Sequence, residues 1–254
     1  MSSPTASTFV LVHGAYQGGW IWQRVAAQLE AAGHSVFTPT LDGCAERRGS
    51  LRPGITTESH GAEIAELLFY QDLSEVTMVG TSSGGMVVCH ACELGAERIA
   101  RVVFVDALVL DHGQRIGDVV DRPPSAGDEL ATGPTAKDIE ERLFADLKPT
   151  LRHWAAERVT HHPRAVMDQP VELEHFWSQS WPAQVIYCRQ STNPPESHQR
   201  RTAERLNASW AEIDTGHYPM LSAPNELSTL LLDPQGSPGP ATLDVALRDR
   251  SGLV

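Results

Sequence analysis

The chain has 254 residues, 41% of them hydrophobic, and its formal net charge at pH 7 is -12. The length and apolar content are sufficient for a full hydrophobic core, and they favour one α/β domain with an insertion over two equal domains. The acidic balance and the lack of a basic patch argue against phosphate-backbone binding, so we expect no nucleic-acid partner.

The sequence predicts a cytoplasmic protein with no membrane partner. No apolar run approaches the roughly 20 residues that a membrane helix needs, and the first residues, M-S-S-P-T-A-S-T, lack the pattern of a signal peptide. The cysteines are too few for a disulfide framework in a chain this long. Cys89 and Cys92 have metal or redox spacing, but they fall in an apolar helix, where a buried structural pair is favoured.

The first predicted strand, residues 9–12, runs into the glycine-rich stretch H-G-A-Y-Q-G-G-W of residues 13–20. Such a loop leaves backbone N–H groups free at the carboxyl end of the strand, where an open α/β sheet has its functional site. The loop lacks the lysine that a phosphate-binding loop requires, and it lacks the G-x-G-x-x-G pattern of a dinucleotide site. The loop therefore predicts neither a phosphate cradle nor a dinucleotide site.

Helices and strands then alternate along the chain. Residues 20–32 have apolar side chains at helical spacing with Gly33 as the C-cap, and a strand at 35–38, a polar loop through Gly54 and a helix at 58–70 follow. This alternation predicts a mostly parallel sheet flanked by helices.

The strongest motif lies in residues 75–92, where a short apolar strand is followed by Gly-Thr-Ser-Ser-Gly and an apolar helix. G-x-S-x-G between a strand and a helix is typical of a nucleophile elbow, in which a strained turn exposes the hydroxyl of Ser82. Gly80 and Gly84 leave room where strand and helix nearly collide, and Gly85 allows close packing on the sheet. The positive end of the helix then faces the charge that develops on a substrate.

The next strand, residues 101–106, has Asp106 at its carboxyl end. Residues 108–182 then no longer show the regular alternation of strands and helices. We predict that this segment is a helical cap. Its tryptophans either line a substrate pocket or pack the cap onto the core; they are Trp154, Trp177 and Trp181. His161 and His162 lack a carboxylate or cysteine in ligand spacing, so we expect no metal.

The sheet resumes at residues 184–188, followed by a helix at 196–206, a strand at 209–213 and a last helix at 224–232. The predicted core therefore comprises residues 8–107 and 183–232. Residues 233–254 are rich in proline and glycine, and we expect a mobile tail there.

A serine nucleophile needs a base within hydrogen-bond reach and a third group that orients the base. His217 is the predicted base, because it follows a late strand and precedes the last helix. Asp106 is the predicted acid, and the alternative is that it is a structural carboxylate at the entry to the cap. The loop of residues 188–195 has no carboxylate, Glu196 begins a helix, and Asp214 is too near His217 in sequence.

Acyl transfer also needs donors for the oxyanion. The backbone N–H groups of Ala15 and Ser83 are the predicted pair, because Ala15 lies in the glycine-rich loop and Ser83 follows the nucleophile. Tyr16 and Tyr218 join the cap tryptophans as candidate substrate-binding residues.

Four motifs together resemble the plant methylesterase and hydroxynitrile lyase branch of the α/β-hydrolases, and still more its bacterial esterase-like relatives. They are F-V-L-V-H-G-A-Y-Q-G-G-W, L-E-A-A-G-H, the elbow, and G-H-Y-P-M-L-S-A-P. The resemblance spans residues 8–232 and is weakest in the cap. It implies an α/β-hydrolase fold and a cofactor-free ester or lactone hydrolase, with Ser82 as nucleophile and His217 as base.

The chain departs from this branch at three positions. Relatives usually carry aspartate where Ser191 stands, so the acid is Asp106 or the site is a dyad. They commonly have His or Gln where Thr81 stands. Hydroxynitrile lyases place lysine directly after the catalytic histidine, where this chain has Tyr218, which disfavours lyase activity on cyanohydrins.

We therefore predict a hydrolase that cleaves a carboxylic ester or lactone of a small aromatic or hydrophobic molecule through an acyl-enzyme on Ser82. One alternative is lyase, cyclase or cofactor-free oxygenase chemistry with His217 and Asp106 as general base. The other is a binder without catalytic activity. The expected partner is a small-molecule substrate, and the protein is expected to be a monomer or homodimer.

Overall fold

A computed structural model of the protein describes residues 6–121 and 125–233. The predicted tail, from residue 234 onward, lies outside the described residues. Within the described ranges, no helix combines the length and apolar character that crossing a membrane requires.

The strands form two sheets. In chain order they are β1 (Thr8–Val12), β2 (Ser35–Phe37), β3 (Val76–Ser82), β4 (Ile99–Ala107), β5 (Ala126–Gly127), β6 (Ala131–Gly133), β7 (His162–Pro163), β8 (Ala183–Cys188) and β9 (Ser209–Ile213). The main sheet has the order β2-β1-β3-β4-β8-β9, and all its pairings are parallel. The α/β fold with a mostly parallel sheet, predicted from the alternating pattern, is therefore confirmed.

Helices cover both faces of the main sheet. They are α1 (Gln23–Ala31), α2 (Thr57–Tyr70), α3 (Gly84–Gly95), α4 (Ala136–Glu141), α5 (Pro149–Ala156), α6 (Arg164–Asp168), α7 (Glu196–Leu206), α8 (Pro219–Ser222) and α9 (Pro224–Leu232). Phe9 and Leu11 of β1 pack in one apolar cluster with Leu29 of α1 and Leu227 of α9. Val10 packs in the opposite cluster, with α2 and α3. This alternation follows from the two-residue period of a strand whose faces are both buried.

The observed boundaries differ from the predicted ones where pairing or local turns decide them. The predicted strand before Ser82 is longer than its apolar residues indicate, because β3 keeps pairing with β1 as far as Gly80 and with β4 as far as Ser82. The helix predicted from residue 20 begins as a 3-10 turn, Gly19–Trp22, before α1. The predicted polar loop through Gly54 contains a 3-10 helix, Ala45–Ser50.

The segment between β4 and β8 contains strands as well as the short helices that the sequence predicts. β5, β6 and β7 form an antiparallel sheet in which β6 is central. This segment also contacts the main sheet's loops, because the backbone N–H of Thr160 donates to the carbonyl of Tyr16 at 3.1 Å. The insertion therefore lies over the carboxyl end of β1.

Candidate active site

Ser82 ends β3 in a left-handed conformation with φ of 52°. The tight turn from β3 to α3 depends on glycines, because a Cβ on Gly80 would lie 2.8 Å from the carbonyl oxygen of Gly84. A Cβ on Gly85 would lie 2.5 Å from the carbonyl oxygen of Leu108. The N–H of Leu108 donates to the carbonyl of Ser82 at 2.9 Å, which ties the turn to the chain leaving β4. This is the strained strand-to-helix turn that a nucleophile elbow requires.

The side chains of Asp106 and His217 meet at the carboxyl edge of the main sheet. Asp106 lies at the end of β4, has φ of 45° and is 0% exposed. His217 lies in the loop between β9 and α8, and its Nδ1 is 2.5 Å from Oδ2 of Asp106. Because an ionised carboxylate only accepts, we assign the ring proton to Nδ1, and Nε2 is then left as an acceptor.

The second oxygen of the same carboxylate is held by Gln199, a residue of α7. Its Nε2 donates to Oδ1 of Asp106 at 2.6 Å and to the carbonyl of Pro194 at 3.1 Å. Gln199 is 1% exposed. The sequence analysis did not identify this residue. The available signal was a glutamine on the predicted helix after the loop that lacks an acid.

The predicted oxyanion donors are free to receive a ligand. Ala15 and Ser83 both line the pocket at Ser82, and neither backbone N–H donates a hydrogen bond to another group of the described chain. The loop passes directly over the serine, since a Cβ on Gly14 would lie 2.6 Å from Cβ of Ser82. These positions satisfy the first requirement of an oxyanion hole, which is unoccupied donors beside the nucleophile.

Hydrogen bonds of His13 hold the first residues of this loop in place. Its Nδ1 donates to the carbonyl of Gly14 at 2.8 Å, and its Nε2 accepts from the N–H of Leu41 at 3.1 Å. The neutral ring therefore forms a hydrogen bond with each of its nitrogens. Burial lowers the pKa of His13 to about 4. His13 is therefore a neutral structural group that holds the loop.

Ser82 and His217 line the same pocket, whose volume is about 130 Å³. Its apolar wall includes Leu108, Ile116, Val120, Leu143 and Met167. Tyr16 and Tyr218, both predicted as substrate-binding residues, also line it. Burial raises the pKa of Tyr218 above its usual value, so its hydroxyl stays protonated at neutral pH.

The three predicted tryptophans are not among the described residues that line this pocket. Trp154 packs edge-on against Trp20 with ring centroids 5.5 Å apart. The indole N–H of Trp177 donates to the carbonyl of Leu110, and that of Trp181 donates to the carbonyl of Phe176, each at 3.0 Å. These contacts favour the packing alternative that the sequence left open, because both indole donors are satisfied within the protein.

Three further positions singled out in the sequence have distinct surroundings. The hydroxyl of Ser191 donates to the carbonyl of Asn193 at 3.3 Å. Thr81 is a buried residue of β3 directly before Ser82. His162 of β7 lies with Nδ1 3.3 Å from Sγ of Cys44, and burial holds its pKa well below the usual value.

Within residues 6–121 and 125–233, no group of three or more His, Cys, Asp or Glu residues is arranged to hold a metal ion. Cys89 and Cys92 are buried free thiols in α3. Burial raises the pKa of both, which keeps them protonated and unreactive.

A sequence profile described as the alpha/beta hydrolase family matches residues 9–229. The chain is 28% identical over 238 residues to a carbendazim hydrolyzing esterase of Nocardioides sp. (strain SG-4G), a match that covers 89% of this chain and 98% of the relative. It is 28% identical over 257 residues to methylesterase 7 of Arabidopsis thaliana, covering 92% and 98%. An extracellular alpha/beta-hydrolase from a Paenibacillus species superposes with a TM-score of 0.77 at 20% identity, covering 89% and 98%.

Proposed function

Because the chain belongs to the alpha/beta hydrolase family, we propose that it is a carboxylic ester hydrolase that acts through an acyl-enzyme on Ser82. The esterases among its relatives confirm the resemblance to methylesterases and bacterial esterases that the motifs predicted. One observation carries the proposal for the site: Nδ1 of His217 lies 2.5 Å from the buried carboxylate of Asp106, and His217 shares a pocket with Ser82.

In the proposed first half-reaction, Nε2 of His217 takes the proton of the Ser82 hydroxyl while Oγ attacks the ester carbonyl carbon. The carboxylate of Asp106 keeps the ring in the required tautomer and stabilises the imidazolium that forms. The oxyanion receives hydrogen bonds from the N–H groups of Ala15 and Ser83, each of which is worth about 3 kcal/mol in such sites. The alcohol then leaves with the proton from His217, and the acyl-enzyme remains.

In the second half-reaction, His217 takes a proton from water, whose oxygen attacks the acyl carbon. Collapse of this second tetrahedral intermediate returns the proton to Oγ of Ser82 and releases the carboxylic acid. The chemistry needs only the side chains and backbone donors already described.

The pocket supports a small substrate. Its volume of about 130 Å³ is below the roughly 300–1,000 Å³ of sites for drug-sized ligands. Its apolar wall suits an ester or lactone of a small hydrophobic or aromatic molecule. We keep from the sequence the proposals of a cytoplasmic location and of a monomer or homodimer.

The test is a panel of p-nitrophenyl esters, aromatic methyl esters and small lactones, assayed with the wild type and with Ser82→Ala. We expect Ser82→Ala to lose at least a thousandfold in kcat/KM, because attack by the hydroxyl has no substitute. Ser191→Ala is the matched control and should keep its activity, since its hydroxyl bonds only to the backbone of Asn193. Retained turnover in Ser82→Ala would replace the proposal with general-base chemistry by His217.

A further inference from the structure

Gln17 is a pocket residue whose side chain has no part in the proposed ester hydrolysis. It lies two positions after the proposed oxyanion donor Ala15 and lines the same pocket as Ser82. The residue is only 3% exposed. Its Oε1 is buried and has no hydrogen-bond partner among the described residues.

The other polar residues of the pocket wall have partners or solvent. Ser125, Arg142 and Asn193 are exposed, and Nε of Arg142 donates to Asp138 at 3.2 Å. Water can solvate the remaining polar atoms of these side chains, whereas Gln17 is buried. The carboxamide of Gln17 therefore stands apart as a buried polar group with unused hydrogen-bonding capacity.

A buried carboxamide oxygen without a partner calls for a physical explanation. It accepts hydrogen bonds, and nearly all such buried acceptors in native proteins are satisfied. Gln17 lines the space in which the ester would bind, so a bound substrate is the natural source of the missing partner.

The order of the strands indicates which part of the substrate lies near Gln17. β1 and β4 flank β3 on opposite sides. The leaving oxygen must lie near His217, which is bonded to Asp106 at the end of β4. Gln17 follows β1 and therefore lies on the other side of Ser82, where the acyl part of the substrate extends.

Resting on the proposed hydrolysis, we propose that Gln17 binds a polar group in the acyl part of the substrate. The preferred substrates are then esters whose acyl chain carries a hydroxyl or an amide N–H close to the scissile carbonyl, because only such donors can bond to Oε1. Plain hydrocarbon acyl esters leave the carboxamide oxygen without a partner in the enzyme–substrate complex. Sites built to hydrogen-bond a substrate discriminate strongly against analogues that lack the bonding group.

The experiment uses two pairs of p-nitrophenyl esters of matched size. The first pair is 3-hydroxypropionate and butyrate, the second is glycolate and propionate, and in each pair a hydroxyl that can donate replaces a methyl group. For each pair, the kcat/KM ratio of polar to apolar ester is measured in the wild type and in Gln17→Met. Methionine keeps the length of the side chain without its amide, and the intrinsic reactivity of each ester cancels when the ratios are compared.

We expect the preference for the polar ester to fall at least fivefold in Gln17→Met for one pair or both. Leu143→Met, which alters another part of the pocket wall without changing its hydrogen bonding, should leave both ratios within twofold of wild type. Should Gln17→Met not fold, Gln17→Leu provides the same comparison.

A change of less than fivefold in both pairs would overturn the proposal, provided that the variant unfolds at the wild-type temperature and still reacts with a fluorophosphonate at Ser82. Failure of the hydrolase proposal has a different signature. In that case the wild type itself would hydrolyse none of the four esters and take no label at Ser82, and both proposals would be rejected.

Discussion

Nδ1 of His217 lies 2.5 Å from Oδ2 of Asp106, although 111 positions separate the two residues. The contact joins the end of β4 to the loop after β9, across β8. The orienting carboxylate therefore comes from β4 and not from the loop after β8, where Ser191 stands. The proposed mechanism depends on this pair.

Asp106→Asn should lower kcat by roughly 10²–10⁴-fold with little change in KM, because an amide N–H facing Nδ1 enforces the wrong ring tautomer. The measurement is steady-state kinetics on one p-nitrophenyl ester. Asp214→Asn is the control, since Asp214 is exposed and its carboxylate lies 3.4 Å from Arg189. Wild-type activity in Asp106→Asn would show that Asp106 is a structural carboxylate.

Gln199→Met should lower kcat by about tenfold or more, because hydrogen bonds to charged groups are worth about 1.5–3 kcal/mol. Its KM should change little, since Gln199 is not among the described residues of the pocket wall. Gln190→Met, which removes an exposed amide beside Asp214, is the control.

A double-mutant cycle separates positioning by Gln199 from a general effect on packing. Gln199 acts through the carboxylate of Asp106, so Gln199→Met should have almost no further effect on kcat in an Asp106→Asn background. An equal fold-loss in both backgrounds would mean that Gln199 affects kcat independently of Asp106.

The buried histidines predict that the protein loses stability in mild acid. Burial lowers the pKa of His13 to about 4 and holds those of His60 and His162 below the usual value. The unfolded chain therefore binds protons first, so stability is full above about pH 6.5 and falls as the pH decreases toward 4. His13 alone accounts for about 3 kcal/mol over that range.

Urea unfolding at pH 7.5, 6.0 and 5.0 tests this prediction. The free energy of unfolding should decrease stepwise, and His13→Asn should show a shallower dependence on pH than the wild type. A free energy that is the same at pH 5.0 and 7.5 would contradict the assignment of neutral buried histidines.

Gly85→Ala should destabilise the protein by about 1–3 kcal/mol, because the added methyl overpacks the contact between α3 and β4. Its Cβ would lie 2.5 Å from the carbonyl oxygen of Leu108, whose N–H holds the elbow. Gly95→Ala, in the same helix, is the control, because its Cβ would meet nothing closer than 3.7 Å. Equal unfolding temperatures for the two variants would contradict this packing argument.

The sequence predicted best the features that depend on local pattern. The helix at 196–206, the strand at 209–213 and the helix at 224–232 coincide with α7, β9 and α9, because apolar spacing and prolines delimit them. The small sheet of β5, β6 and β7 was not predicted, because its strands are two or three residues long and its pairing is set by contacts distant in sequence.

The features of the candidate site also divide into those set by local sequence and those set by contacts distant in sequence. The turn at Ser82 is a local motif and could be read directly. The contact of Gln199 with Asp106 depends on how α7 packs against β8, the neighbour of β4, and no local pattern encodes it. The roles of Trp177 and Trp181 could not be decided either, since burial of an aromatic side chain looks the same in sequence whether it packs a core or a ligand.

The most direct test of Ser82 as the nucleophile is to react the folded protein with a fluorophosphonate and locate the adduct by mass spectrometry. We expect a single adduct on Ser82, absent from Ser82→Ala and formed at least a hundredfold more slowly in His217→Ala, because the hydroxyl is nucleophilic only with its base. Folded protein that takes no adduct at Ser82, while a known serine hydrolase is labelled in the same tube, would contradict an activated nucleophile at this elbow.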